Sequence, residues 1–103
     1  MIQVQFGRGK QGFVSVRVSG HAGFAPEGSD IVCAGVTSVV MLTANAITEI
    51  LGESGRVTQG EDEIVIALPA SPTDASIAFL RALHLHLTLL QGQYPKHITV
   101  TEV

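Results

Sequence analysis

Residues 20–37 read GHAGFAPEGSDIVCAGVT and contain the single cysteine of the chain. Glycine, proline, serine and aspartate, which favour turns, are frequent up to Asp30, whereas apolar and helix-compatible residues follow from Ile31. The stretch therefore predicts a flexible loop that runs into a long helix.

Asp30 occupies the position expected for the N-cap of that helix. Its carboxylate can accept hydrogen bonds from the backbone N–H groups two and three residues further on. Cys33 then falls at the third helical position, near the positive end of the helix dipole, which favours the thiolate over the thiol. This is a favourable position for a nucleophilic cysteine.

His21 follows a strand-like run and lies twelve positions before Cys33. A cysteine nucleophile needs a base or an imidazolium partner, because an unperturbed thiol, with a pKa near ~8.5, is mostly protonated at neutral pH. The first hypothesis is therefore a Cys33/His21 dyad, with the intervening loop as a lid over the substrate. The alternative is that Cys33 is a small buried hydrophobic residue and His21 an ordinary loop residue.

These residues also resemble a family motif. Gly20-His21-Ala22, Gly28 and Asp30-Ile31-Val32-Cys33-Ala34 resemble the signature of the ribosomal-processing cysteine proteases, the Prp family, and the length and element order are similar to that family from end to end. The resemblance implies a cysteine endopeptidase that removes the N-terminal extension of the large-subunit ribosomal protein numbered twenty-seven. It also implies that His21 and Cys33 are catalytic and that Asp30 is the family's aspartate.

Further positions are assigned around the predicted dyad. The chain reads Ala34-Gly35-Val36-Thr37 where the family usually has Ala-Ala-Val-Ser, but Thr37 keeps a hydroxyl one helical turn beyond Cys33 and on its face. Asp30, Thr37 and Gly20 are predicted to support the dyad. The loop is predicted to close over an extended peptide, with Phe24 a candidate contact for an apolar side chain; the alternative is that Phe24 is an aromatic residue that anchors the loop to the protein surface. The candidate substrate-loop residues are Ala22, Gly23, Phe24, Gly28 and Ser29.

The 103 residues, of which 46% are hydrophobic and 15% charged, predict one domain spanning residues 1–103. The apolar surplus favours a homodimer, since large exposed apolar patches mark interaction sites, although a dense two-layer core would also absorb it. The net charge of −3 and six scattered Lys and Arg residues argue against direct binding of nucleic acid. An acidic protein can still attract a basic substrate segment.

One cysteine excludes an internal disulfide, and the chain has no CxxC motif for zinc or thioredoxin chemistry. The N-terminal residues alternate like a strand and do not resemble a signal peptide. No uninterrupted apolar run reaches the ~18 residues of a membrane span. We therefore expect a cytoplasmic protein with no membrane contact, in a compartment where the thiol stays reduced.

Alternating apolar residues predict two hairpins, at residues 2–18 and 56–68, and a last strand at residues 97–103. Helical spacing predicts a first helix from Ile31 to about Leu51, ended by Gly52, and a second that begins at Ser71-Pro72 and ends near Gly92. The order ββαββαβ predicts an α+β two-layer sandwich with a mainly antiparallel sheet and both helices on one face.

Three other signals favour neither a cofactor nor a metal. His84 and His86 are two residues apart on a predicted helix, so they point to nearly opposite sides and fit the edge of its apolar stripe better than a metal site. The acidic run Glu61-Asp62-Glu63 is typical of a solvated turn. The Gly7-x-Gly9-x-x-Gly12 pattern joins two strands and opens no helix, so it lacks the context of a nucleotide site.

The sequence thus predicts a cysteine endopeptidase in which Cys33 attacks a backbone carbonyl and His21 exchanges the proton. Backbone amides of the helix start or of the glycine-rich loop are expected to hold the oxyanion. The alternative is a non-catalytic dimeric module that binds a ribosomal protein or an assembly factor, with Cys33 packed in the core. An RNA-binding module is disfavoured by the net charge.

Overall fold

The computed structural model describes residues 1–20 and 30–103. Its order ββαββαβ confirms the predicted α+β fold. The elements are β1 (Ile2–Gly9), β2 (Gly12–Ser19), α1 (Ile31–Asn45), which continues into a π-helical segment (Ala46–Ile50), β3 (Arg56–Gln59), β4 (Glu63–Ala67), α2 (Asp74–Gln93) and β5 (Ile98–Glu102).

The five strands form one sheet in the order β3-β4-β2-β1-β5, and neighbours are antiparallel except for the parallel pair β1 and β5. Because side chains alternate between the two faces of a strand, the apolar residues share one face, which both helices cover as predicted. The opposite face carries polar side chains such as Gln3 and Arg17. The sheet residues of the core are Ile2, Val4, Phe6, Val16, Val18, Ile64, Ile66 and Ile98.

Valine is a mediocre helix former, so α1 depends on burial in the core for its stability. Val32, Val36 and Val40 are buried in the core. The segment Ile31–Ile50 has a mean hydropathy of 1.8 and is long and apolar enough to cross a membrane by length and composition, a property that core helices share. Gly52, at φ +63°, follows this segment and ends it as predicted.

The predicted start of α2 at Ser71-Pro72 is wrong. Thr73 is the N-cap, and its hydroxyl accepts a hydrogen bond from the Ser76 N–H at 3.2 Å. Glu53, in the loop before β3, accepts hydrogen bonds from the Thr73 N–H at 2.8 Å and the Thr73 hydroxyl at 2.7 Å. Hydrogen bonds from Ser76 and Thr73 lower the pKa of Glu53. This contact between distant residues fixes the helix start.

The two histidines of α2 lie in different surroundings, as their spacing predicts. The His84 ring packs against Phe6 and Phe13, at centroid distances of 4.9 and 4.6 Å, and its Nε2 lies 3.5 Å from the Glu102 carboxylate. His86 is exposed. Within the two described ranges, no three His, Cys, Asp or Glu side chains are placed to hold a metal ion.

Candidate active site

A cleft with a volume of about 240 Å³ opens where the first turns of α1 meet one end of the sheet. At this end β2 finishes, β3 finishes and β4 begins. Cys33 and Thr37 line the cleft, and they share one helix face because they are four residues apart. Its lining residues are Val18, Gly20, Cys33, Thr37, Gln59, Gly60, Glu61, Asp62, Glu63 and Ile64.

Asp30 caps α1, as predicted, and is buried. Its Oδ1 accepts hydrogen bonds from the Val32 N–H at 3.0 Å and the Cys33 N–H at 3.1 Å, and its carbonyl accepts one from the Ala34 N–H at 3.0 Å. The backbone that carries the thiol is therefore held in place by one carboxylate. Cys33 itself is half-buried: it lines the cleft and also packs against the apolar core.

The same hydrogen bonds bear on the expected oxyanion site. The amides of Val32, Cys33 and Ala34 already donate to Asp30. A backbone N–H that already donates to a capping group forms only a weaker hydrogen bond to an oxyanion. Of the two sources expected from the sequence, the glycine-rich stretch before Asp30 is therefore favoured over these three amides of the helix start.

Gly20 joins the end of β2 to two other parts of the chain. Its φ is +85°, and its N–H donates to the Asp62 carbonyl at 3.1 Å. A Cβ at this position would lie 2.5 Å from the Met1 carbonyl oxygen. Both the positive φ and the close backbone contact require glycine. The residue thus fixes the direction in which the chain leaves β2 at the edge of the cleft.

We expect Gly20→Ala to lower the free energy of unfolding by about 1–3 kcal/mol, because the alanine is strained at positive φ and its Cβ meets a backbone oxygen. Urea denaturation measures the change. Gly35→Ala is the matched control: Gly35 is in α1, and a Cβ there meets no atom within 4 Å. This control should gain roughly 0.5–1 kcal/mol from helix propensity. An unchanged urea midpoint for Gly20→Ala would show that position 20 does not require glycine.

The acidic turn Glu61-Asp62-Glu63 lines the cleft, a role that the sequence interpretation missed. Its position depends on the pairing of β4 with β2, which places Glu63 beside Ser19. Glu63 forms an ion pair with Arg17, at 2.6 Å from Oε2 to Nε. A local pattern identifies the turn but gives no information about which helix it faces.

The sequence-predicted residues fall into two groups. Cys33, Thr37 and Gly20 line one cleft, and Asp30 caps the helix that carries Cys33. The other predicted residues lie outside the described ranges of the chain. These are His21, Ala22, Gly23, Phe24, Gly28 and Ser29.

Comparison with known proteins identifies the same protease family by sequence and by fold. A family model described as "Cysteine protease Prp" matches residues 1–99. The ribosomal processing cysteine protease Prp of Bacillus subtilis is 31% identical to this chain, over 98% of this chain and 96% of the relative. Crystal structures of the ribosomal processing protease Prp from S. aureus superpose on the whole chain, and each is itself covered in full. With a covalently linked product peptide the TM-score is 0.92 at 24% identity, and with a substrate peptide it is 0.87 at 23% identity.

Proposed function

This chain belongs to the cysteine protease Prp family and is a cysteine protease, and from this premise we propose that it is an endopeptidase that removes the N-terminal extension of the large-subunit ribosomal protein numbered twenty-seven. The position of Cys33 carries the proposal: this half-buried residue lines a cleft at the N-terminus of α1. A half-buried cysteine at a cleft and a helix N-terminus suits a nucleophile better than the fully packed core position of the alternative, non-catalytic module.

In the proposed reaction, the Cys33 sulfur attacks the scissile carbonyl carbon, and the amide C–N bond then breaks to leave a thioester. His21 takes the thiol proton, or holds it already as imidazolium, and gives it to the leaving amine. Water then attacks the thioester carbonyl with His21 as base, the C–S bond breaks to release the N-terminal fragment as an acid, and the proton held by His21 restores the resting Cys33/His21 pair. The position of His21 in the sequence, directly after the cleft residue Gly20, supports this assignment.

Two further residues are proposed to support the dyad. Asp30 fixes the backbone of Cys33 through the cap, and Thr37 lines the same cleft. The segment 22–29 is proposed to close over the bound peptide, with Phe24 against an apolar substrate side chain. The role of the segment is inferred from its length and turn-rich composition between His21 and Cys33.

A basic peptide is the substrate that the charges favour. The Bacillus subtilis relative is named a ribosomal processing protease, and the S. aureus protein was crystallised with a substrate peptide. In this chain the net charge is −3, and Glu61 and Asp62 add negative charge at the cleft. Opposite charge raises the local concentration and the association rate of a basic segment. A ribosomal substrate and a single cysteine in the chain also favour a cytoplasmic location.

The test is a synthetic peptide that spans the junction between the extension and the mature ribosomal protein. We expect wild-type enzyme to produce two fragments by mass, from one cut, while a peptide of the same composition in scrambled order stays intact. Tight binding of the junction peptide without any cut would instead favour the non-catalytic binding module.

We also propose that two copies of the chain associate through the outer faces of α1 and α2. Large apolar side chains are exposed there, including Leu42 (66% exposed) and Leu89 (63% exposed). Sedimentation equilibrium at ~10 µM should give a dimer for the wild type and mainly monomer for Leu42→Glu, since a buried charge opposes association. Gln3→Glu, on the polar face of the sheet, is the matched control and should remain dimeric. A monomeric wild type at this concentration would contradict the proposed dimer.

A further inference from the structure

Strand β3 forms one edge of the sheet, and its outer side is available for pairing. It is the first strand in the order β3-β4-β2-β1-β5, and no strand of the described ranges lies beyond it. Arg56, Thr58 and Gln59 are exposed. An edge strand presents a row of N–H and C=O groups that can pair with another extended chain.

The register of β3 and β4 identifies the groups that point outward. Gly60 donates its N–H to the Glu63 carbonyl at 2.7 Å, so this pair is directly hydrogen-bonded. Hydrogen-bonded and non-bonded pairs alternate along an antiparallel ladder. The next pair, Gln59 with Ile64, is therefore non-bonded, and the pair Thr58 with Val65 is bonded again. By this alternation, Val57 and Gln59 direct their N–H and C=O groups away from β4.

The outward N–H and C=O groups of β3 lie close to the cleft of the candidate nucleophile. Gln59 and Gly60, at the end of β3, line the same cleft as Cys33. The described backbone gives Val57 and Gln59 no hydrogen-bond partner on the outer side. The other edge of the sheet, β5, contributes no residue to this cleft. Of the two edges, only β3 is therefore continuous with the site of chemistry.

We propose that the peptide substrate adds to the outer edge of β3 as an extended strand, hydrogen-bonded to the backbone of Val57 and Gln59, and continues from there into the Cys33 cleft. This proposal rests on the proposed function and adds how the enzyme holds its substrate. Strand addition recognises the backbone and so tolerates variation in the side chains that point away from the cleft. It also requires the scissile segment to be unfolded, which favours terminal extensions over folded domains.

An enzyme variant tests the proposal from one side. Gln59→Pro removes an outward N–H and leaves the β4 ladder intact, a substitution that edge strands tolerate. We expect kcat/KM for the junction peptide to fall about 3- to 10-fold, the value of one lost hydrogen bond. Thr58→Ala is the control, because Thr58 is an exposed residue of the same strand that lies outside the cleft and directs its N–H at β4, and it should cleave at nearly the wild-type rate. Circular dichroism and the melting temperature establish that both variants are folded.

Substrate variants give a second test of strand addition, which remains valid if Gln59→Pro does not fold. Junction peptides are methylated on one backbone nitrogen at a time, outside the scissile bond. We expect methylation of alternate residues to lower kcat/KM about 3- to 10-fold for each blocked bond, and methylation of the residues between them to change it little. Normal cleavage of the plain peptide without this alternation, and with Gln59→Pro fully active, would overturn strand addition alone. Failure to cut the plain peptide would overturn the proposed function and strand addition with it.

Discussion

Cys33→Ala is expected to lower kcat/KM for the junction peptide by about 10⁴-fold or more, to the background rate. Removal of the nucleophile abolishes the covalent route, and knockouts of this kind cost roughly 10⁴- to 10⁶-fold in other proteases. The fold should survive, because the side chain is half-buried and the cap depends on Asp30 and on the backbone of residue 33. Initial cleavage rates, measured by fragment mass, give the effect.

The control for this variant is the melting temperature, which should stay within a few degrees of the wild type, as for other small changes at half-buried sites. Gly35→Ala, two residues further along α1, should retain full cleavage. Residual activity of Cys33→Ala above one hundredth of the wild type would show that the thiol is not the nucleophile.

The second large effect is expected for His21→Gln, which should lower kcat/KM by about 10²- to 10⁴-fold, the usual contribution of a general acid and base. Glutamine keeps a similar size and hydrogen-bonding capacity but cannot carry the proton. The variant should also slow alkylation of Cys33 below pH 7, because the thiol loses the imidazolium partner that favours its reactive thiolate form.

Alkylation rates with iodoacetamide across pH 5 to 9 (about the range in which such thiols titrate) measure the second effect of this variant. His86→Gln, at an exposed position on α2, is the matched control and should leave both the rates and their pH dependence unchanged. If His21→Gln retained the wild-type pH profile, the dyad would be wrong and another group would have to activate the thiol.

Local features of the fold were predictable from the sequence. The cap by Asp30, the helix end at Gly52 and the alternation of the strands depend on residues close together in the chain, where the chemistry of a few side chains decides the geometry. For the same reason, the face shared by Cys33 and Thr37 followed from helical spacing alone.

Features that depend on distant residues were not predictable. Glu53 holds Thr73 and shifts the start of α2, although twenty positions separate the two residues. The acidic turn at Glu61 lines the Cys33 cleft only because β4 pairs with β2. The parallel pairing of β1 with β5 brings the two ends of the chain together, and no local pattern encodes it. In each case a contact between residues far apart in the sequence decides the geometry, and local sequence patterns do not encode such contacts.

The most direct test of the central claim uses the full-length ribosomal protein with its N-terminal extension. It is incubated with wild-type enzyme and, in parallel, with Cys33→Ala, and the intact mass and the new N-terminus are determined. The account predicts one shortened product, cut at the extension junction, with the wild type and an unchanged mass with Cys33→Ala. An unchanged mass with both enzymes, or the same shortened product with both, would contradict it.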